Sequence, residues 1–189
     1  MRLFHISLHD HANQDKLILH ADTLGSWSVV NLQNRSKIVK ILNFISKTIA
    51  SKCKIGEKLS IEDGEFVVHV FVNRINLAVI IISDLEYPKE IAHRIIEKIL
   101  QEDKVDSELL LKFLEYYQNP NVDKIYKLKT ELQETKEIIC KTLDKVLERG
   151  ETLDDLVSKT QYLSDNSKSF YKVARKVNSR WCPFWFPFF

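Results

Sequence analysis

The sequence contains no apolar run long enough to cross a bilayer. A membrane-spanning helix needs about 20 such residues, whereas the longest apolar run, residues 77–82, has the length of a buried strand. Cysteine is scarce as well: Cys53, Cys140 and Cys182 are odd in number and far apart, which argues against a disulfide framework and fits a reducing cytosol. The formal net charge is only +2, so composition excludes a strongly basic nucleic-acid binder.

The chain also lacks the motifs of common catalytic sites. It has no Gly-rich phosphate loop, no nucleophile elbow and no paired cysteine spacing. His9 and His11 have no third histidine or cysteine at ligand spacing, and we interpret them as surface histidines of a polar turn. The N-terminus has no apolar stretch of the kind that a signal peptide requires. We therefore expect no enzyme, no cofactor and no metal site.

The first part of the chain has the pattern of an α+β domain. Two short alternating stretches predict two strands, and a helix with an isoleucine stripe follows. Asp63-Gly64 between β-prone runs predicts a hairpin, and residues 77–82 read as a central strand covered on both faces. Pro88 is placed to open a second helix, and a shorter helix follows from Ser107. We therefore predict that residues 1–117 form a five-stranded antiparallel or mixed sheet with helices on both faces, and that residues 118–122, around Pro120, form a linker.

An apolar ladder dominates the remaining chain. Steps of three and four residues, alternating, give an average period of 3.5, which is typical of a left-handed coiled coil. Of its sixteen positions, eleven are apolar and one near the centre, Arg149, is charged. The ladder comprises Ile125, Leu128, Leu132, Thr135, Ile139, Thr142, Val146, Arg149, Leu153, Leu156, Thr160, Leu163, Ser167, Phe170, Ala174 and Val177.

The central arginine requires an explanation. A buried guanidinium without partners costs several kcal/mol, so Arg149 must meet acceptors from other helices. A single polar group at a core position also fixes register and the number of partner helices. The simpler alternative is an ordinary dimeric coiled coil in which the Arg149 side chain reaches out to solvent.

The run LERGETLDDLVSKTQYLSDNSKSFYKVARK resembles the motif of R-SNAREs, the helix that a vesicle-fusion protein contributes to a four-helix bundle. The resemblance implies that Arg149 meets three glutamines, one from each Gln-type partner helix, with the ladder positions as layers. EDGEFVVHVFV and the YP before the second helix resemble a longin domain. The whole chain is similar to the Ykt-type longin R-SNAREs, with a coiled-coil motif over residues 123–178 and an aromatic tail over residues 179–189.

In this family the motif folds back over the longin domain. The resemblance places the receiving surface on the first helix, at Ile38, Ile41, Phe44 and Ile45. Ile41 stands where the family carries an anchoring phenylalanine, and the segment around residues 101–107 is shorter than in relatives. Without a partner, we expect residues 125–163 to pack there in broken helical segments, because an exposed apolar ladder invites association.

The C-terminus departs from the family pattern. Ykt-type relatives end in a prenylation box, whose cysteine stands fourth from the end, but Phe186 occupies that position here. Cys182 remains a candidate for acylation, and the basic stretch over residues 168–180 with the aromatic tail is a candidate for peripheral contact with anionic membranes. For the cations, a favourable interaction with the helix C-terminus is the alternative.

The resemblance implies an R-SNARE that drives docking and fusion in ER–Golgi, Golgi and endosomal or vacuolar transport. The resemblance further implies binding to SNARE disassembly machinery and tethering factors, and a cytoplasmic protein that cycles to the cytosolic face of those membranes. One alternative is a regulatory, non-fusogenic SNARE-like protein without a stable anchor. Another is an enzyme that transfers acyl groups to cysteines.

Overall fold

The computed structural model describes residues 2–13, 16–23, 32–64, 66–118 and 138–180. Within these residues, no helix is both long and apolar enough to cross a membrane. The elements of the first part of the chain are β1 (Leu3–Asp10), β2 (Lys16–Asp22), α1 (Leu32–Ala50), β3 (Lys58–Asp63), β4 (Phe66–Val72), β5 (Leu77–Asp84), α2 (Lys89–Gln101) and α3 (Ser107–Tyr116). After residue 137 come β6 (Ile139–Thr142), a 3-10 turn (Leu143–Lys145), α4 (Leu153–Lys159) and α5 (Asp165–Arg180).

The strands form one sheet in the order β2-β1-β5-β4-β3-β6. The first five strands pair antiparallel, and β6 pairs with β3 in parallel. The hairpin between β3 and β4 turns at Gly64, whose φ of 61 lies in the left-handed region that glycine adopts without steric cost. The sheet is therefore mixed, and the parallel pair of β3 and β6 joins the two parts of the chain.

Helices cover both faces of the sheet. Because side chains alternate along a strand, Val68 and Val70 of β4 face α1, while Val79 and Ile81 of β5 belong to the cluster with α2 and α3. On α2, the stripe containing Ile91, Ile95 and Ile99 is completely or almost completely buried. The predicted α+β class is confirmed, and the sheet gains a sixth strand that the sequence pattern did not indicate.

Buried histidines lie on both faces of the sheet. Below α2, the Ser60 hydroxyl lies 2.9 Å from His69 Nδ1 and 3.1 Å from His93 Nε2, and His69 Nε2 lies 3.0 Å from the Ser83 hydroxyl. Burial lowers the pKa of His69 to about 3, and the neighbouring His93 acts in the same direction. Burial lowers the pKa of His93 to about 4, and the charge of Lys58 acts in the same direction. These rings are therefore neutral parts of the core.

The interpretation of His9 as a surface residue is wrong. His9 belongs to β1, is fully buried and lies 3.0 Å from the Ser7 hydroxyl. His5, Ser7 and His9 alternate along β1 with the apolar Ile6 and Leu8, so they share one face of the strand. The period of two puts His9 on the polar face of β1, opposite Ile6 and Leu8, and His9 is buried because helices cover both faces of the sheet.

Candidate functional site

Residues 138–180, here called the returning segment, begin at the free edge of β3. Strand β6 pairs with that edge in parallel, with Leu59 opposite Ile139 and Glu62 opposite Thr142. The β-branched Ile139 and Thr142 suit this extended conformation. Side chains add to the backbone pairing: Lys89 Nζ donates to Cys140 Sγ at 3.1 Å, and Lys141 lies 3.7 Å from Glu57. The returning segment thus covers an edge that would otherwise carry unpaired backbone groups.

The chain then turns sharply at the centre of the ladder. The backbone N–H groups of Val146 and Leu147 donate to the Leu143 carbonyl, and Leu143 and Leu147 are buried. Gly150 has a φ of 86, which ends the turn and is incompatible with a continuing α-helix. Arg149 is exposed at this turn.

Ion pairs hold the turn beside the end of α1. Lys52 Nζ lies 2.8 Å from Glu148 and 3.6 Å from Glu151, the residues that flank Arg149 and Gly150. The Glu148 side chain is 78% exposed, so solvent screens the pair and it adds little to stability. Its effect is mainly to orient the turn, with the Arg149 guanidinium toward solvent.

Helices α4 and α5 pack the remaining ladder against α1. The Thr152 hydroxyl caps α4 by accepting from the Asp155 backbone N–H at 3.2 Å. Leu153 and Val157 of α4 are 3% and 0% exposed, and Leu163 between the helices is 3% exposed. All three belong to the same hydrophobic cluster as the apolar stripe of α1. The returning segment and the longin-like sheet therefore share one core.

A polar cluster fastens α5 to the end of β3. Arg175 lies 3.2 Å from Asp63 and 3.4 Å from Asp154, and it donates to the Tyr171 hydroxyl at 2.7 Å. The Tyr171 hydroxyl in turn donates to Asp154 at 2.9 Å. Burial raises the pKa of the Asp63 carboxyl, and the Arg175 guanidinium acts in the opposite direction. Arg175 is thus a cation of the basic stretch whose charge is already compensated.

The structure separates the described ladder positions into three groups by burial. Leu153, Leu163 and Ser167 are buried, whereas Ile139, Thr142 and Arg149 are exposed. Partly buried are Val146, Leu156, Thr160, Phe170 and Ala174. Outside the described residues lie Ile125, Leu128, Leu132, Thr135, the side chain of Val177, and Cys182. The predicted linker after residue 118 and the aromatic tail from residue 181 also lie outside them.

The form of the motif differs from one continuous coiled-coil helix. Over residues 138–180 it consists of a strand, a 3-10 turn and two helices, so the expectation of broken segments describes it better. That expectation contained only helical segments, and the strand was missed. The physical reason for the broken form is that a single helix has no partner here for its apolar ladder, whereas the turn at Gly150 lets both halves reach the longin-like domain.

The receiving surface includes three of the four residues proposed for it. Ile41, Phe44 and Ile45 are buried in the shared core, and Ile38 is half-buried. Phe44 also stacks on Tyr162 of the returning segment, with ring centroids 6.4 Å apart. Ile41 is 7% exposed, so an isoleucine fits this position of the shared core.

Four contact residues were missed because they do not belong to the ladder. Leu143, Leu147, Val157 and Tyr171 are all buried in the shared core. A signal for them exists in the sequence: the motif carries more large apolar and aromatic residues than its ladder uses. Such a surplus indicates a second packing face.

Two family models match the chain. The model described as a Regulated-SNARE-like domain, Longin, matches residues 28–104, and the model described as Synaptobrevin matches residues 124–183. The protein named Synaptobrevin homolog YKT6 from Saccharomyces cerevisiae is 32% identical over an alignment of 197 positions, which covers 95% of this chain and 98% of that protein. Its namesake from Schizosaccharomyces pombe is 36% identical over 179 residues, covering 87% of this chain and 89% of that protein. The namesake from Debaryomyces hansenii is 36% identical over 163 residues, covering 77% of this chain and 82% of that protein.

Proposed function

Because the chain belongs to the synaptobrevin family, as a member with an N-terminal longin domain, we propose that it is an R-SNARE whose motif is held inactive by that domain. In its active form the motif enters a four-helix bundle with three Gln-type SNARE helices and draws two membranes together. We place this work in ER–Golgi, Golgi and endosomal or vacuolar transport, at the cytosolic face of those membranes. Disassembly machinery and tethering factors complete the proposed partner set.

The burial of ladder residues against the longin domain carries this proposal. Leu153 and Leu163 lie in one core with Phe44 and Ile45 of α1. A side chain buried there cannot pack against partner helices at the same time. The folded-back form and the bundle therefore compete for the same atoms, and partners that bind only the released motif shift the population toward it.

Arg149 supports the choice of partners. Its guanidinium has five donors and no acceptor, and in the folded-back form it remains in solvent. In a bundle the ladder would surround it with apolar side chains, so uncharged acceptors on the facing helices are needed to avoid a cost of several kcal/mol. Three glutamine carbonyl oxygens satisfy that need without adding charge.

Membrane contact is expected to increase when the motif is released. The Asp63 and Asp154 carboxylates neutralise Arg175 in the folded-back form. Release of α5 frees this guanidinium beside the exposed Lys172, and each cation close to an anionic leaflet adds about 1 kcal/mol of attraction. Residues 179–189 would add aromatic contacts at the headgroup level, and Cys182 is the proposed position for a lipid.

A pair of leucine variants tests the competition. Leu147 is buried in the folded-back form but is not a ladder position. Leu153 is buried in the folded-back form and is also a ladder position that would pack against partner helices in the bundle. Leu→Ala in a core costs roughly 2–5 kcal/mol. We expect Leu147→Ala to speed assembly with Gln-type helices while leaving the melting temperature of the complex nearly unchanged. Leu153→Ala should speed assembly and also lower that melting temperature.

The control for this pair is Lys145→Ala, an exposed position between the two buried leucines of the turn. Assembly is followed by a fluorescent label on a partner helix, and complex stability by thermal unfolding. If Leu147→Ala assembled no faster than Lys145→Ala, the packing of the returning segment would not limit assembly, and the inhibitory role of the longin domain would be rejected.

A further inference from the structure

An aromatic groove runs along the outer side of α3. Its volume is about 380 Å³, and it is lined by Lys98, Leu109, Lys112, Phe113, Tyr116 and Tyr117. The Phe113 and Tyr117 rings stack with their centroids 6.1 Å apart, and the Tyr116 ring meets Tyr117 edge to face with centroids 4.9 Å apart. Tyr116 is nonetheless 61% exposed, so one wall of the groove is an aromatic ring that faces solvent.

The cations of the groove already have partners. Lys98 Nζ donates to the Tyr117 hydroxyl and lies over the Tyr117 ring. Lys112 Nζ lies 2.8 Å from Glu108. An anionic occupant would have to displace these contacts, whereas an uncharged aromatic occupant would leave them intact. The groove therefore favours an uncharged segment that carries aromatic side chains.

Residues 181–189, here called the aromatic segment, have this chemistry. Six of the nine residues are aromatic and none is charged, and Pro183 and Pro187 favour an extended backbone. Extended segments that contain proline bind in grooves lined by aromatic rings. A contiguous apolar surface left in water also promotes association. The composition of the aromatic segment thus matches the lining of the groove.

Helix α5 leads the aromatic segment toward the groove. Arg175 of α5 lies 3.2 Å from Asp63, where β3 ends. Strand β5, two strands away, ends at Asp84, whose carbonyl accepts from the Tyr87 backbone N–H at 3.2 Å. The Tyr87 hydroxyl then donates to the Tyr117 carbonyl at 2.9 Å. The end of β3 that holds α5 and the groove residue Tyr117 therefore lie at the same end of the sheet.

The aromatic segment is long enough to cover this distance. Two strand spacings are about 10 Å, and the Tyr87 side chain spans the remainder. Helix α5 continues for five residues after Arg175, which adds about 8 Å along its axis. Nine extended residues reach about 30 Å, so the aromatic segment can enter the groove while α5 remains packed on the longin domain.

We propose that the aromatic segment docks in this groove in the folded-back form, with its rings and prolines packed against Phe113 and Tyr116. The short connection to α5 raises the effective concentration of the segment at the groove. Release of α5 removes that advantage, so the aromatic segment becomes free for another apolar surface when the motif is released. The docking goes beyond the proposed role in fusion, because it requires no partner helix.

The fluorescence of Trp185 tests the docking. Trp27→Phe and Trp181→Phe in the full chain leave Trp185 as the single tryptophan, and acrylamide quenching under reducing conditions measures its exposure. The reference is a synthetic peptide of residues 172–189 with the same Trp181→Phe substitution. We expect acrylamide to quench Trp185 much less in the full chain than in the peptide.

Variants of α3 locate the protection. Tyr116→Ser should raise the quenching of Trp185 toward the value of the peptide, whereas Tyr116→Phe keeps the ring and should leave the protection in place. Leu111→Ser is the control, because Leu111 is an exposed apolar residue of the same helix that does not line the groove. Both serine variants replace exposed side chains and are expected to fold.

Four results would overturn the proposal. The first is quenching in the full chain as strong as in the peptide, and the second is an equal increase in Tyr116→Ser and Leu111→Ser. The third is protection that disappears on dilution, which would assign the contact to a second copy of the chain. The fourth is protection that arises only with vesicles of phosphatidylcholine and phosphatidylserine, which would assign it to lipid.

Discussion

Gly150→Ala is expected to open the folded-back form. Gly150 has a φ of 86 there, and an added Cβ would meet no atom within 4 Å, so backbone conformation alone sets the cost. A left-handed conformation costs a non-glycine residue about 1–2 kcal/mol. In a continuous helix, by contrast, alanine is favoured over glycine by about 1 kcal/mol. The two terms add to about 2–3 kcal/mol, or a shift of roughly 30- to 140-fold toward the helical motif of the bundle.

Hydrogen exchange measures the left-handed part of this shift without any partner. Because no partner helix then orders the released motif, only the cost of about 1–2 kcal/mol applies, and the amides of β6 and α4 should exchange roughly 5- to 30-fold faster in Gly150→Ala, while those of β4 and β5 keep their rates. Ser158→Ala is the matched control, because residue 158 is helical in the folded-back form and in a bundle alike. Unchanged exchange in Gly150→Ala would refute the view that this glycine distinguishes the two states.

Three further outcomes are expected. Arg149→Ala should weaken assembly with Gln-type helices while the longin domain keeps its thermal stability; an undiminished pull-down of partners would favour the alternative in which Arg149 faces solvent in an ordinary coiled coil. Stability should fall as the pH drops below 6.5, because the pKa of His5, His69 and His93 is about 3, 3 and 4 in the folded chain, so the unfolded chain takes up protons first. By pH 5, each of the three rings lowers the free energy of unfolding by about 2 kcal/mol. In urea unfolding at pH 7 and pH 5, His69→Gln should therefore lose less stability between the two pH values than the unaltered chain does; an identical loss would contradict this origin. Deletion of residues 181–189 should lower binding to anionic vesicles in a flotation assay, and unchanged binding together with an unmodified Cys182 in mass spectrometry would show that the tail is inert.

The longin domain could be predicted well because its signals are local. Alternating strands, the Asp63-Gly64 turn and the isoleucine stripe of α1 each fix an element without reference to distant residues. The returning segment could not be predicted in the same way. Ile139 and Thr142 fit the helical ladder by spacing and a strand by β-branching, and the free edge of β3 decides between the two. That edge is remote in sequence, so no local pattern reveals the pairing.

The two central residues of the ladder solve one problem together. A ladder that buries its apolar positions against α1 as one helix would also carry the charged Arg149 toward the core, at a cost of several kcal/mol. The left-handed conformation at Gly150 reverses the chain at that point, so Leu147 and Leu153 on either side remain buried while Arg149 turns outward. Lys52 then pairs with Glu148 and Glu151 on either side of Arg149. The guanidinium is thereby kept hydrated until partner helices supply acceptors, and the glycine beside it keeps that arrangement free of steric strain.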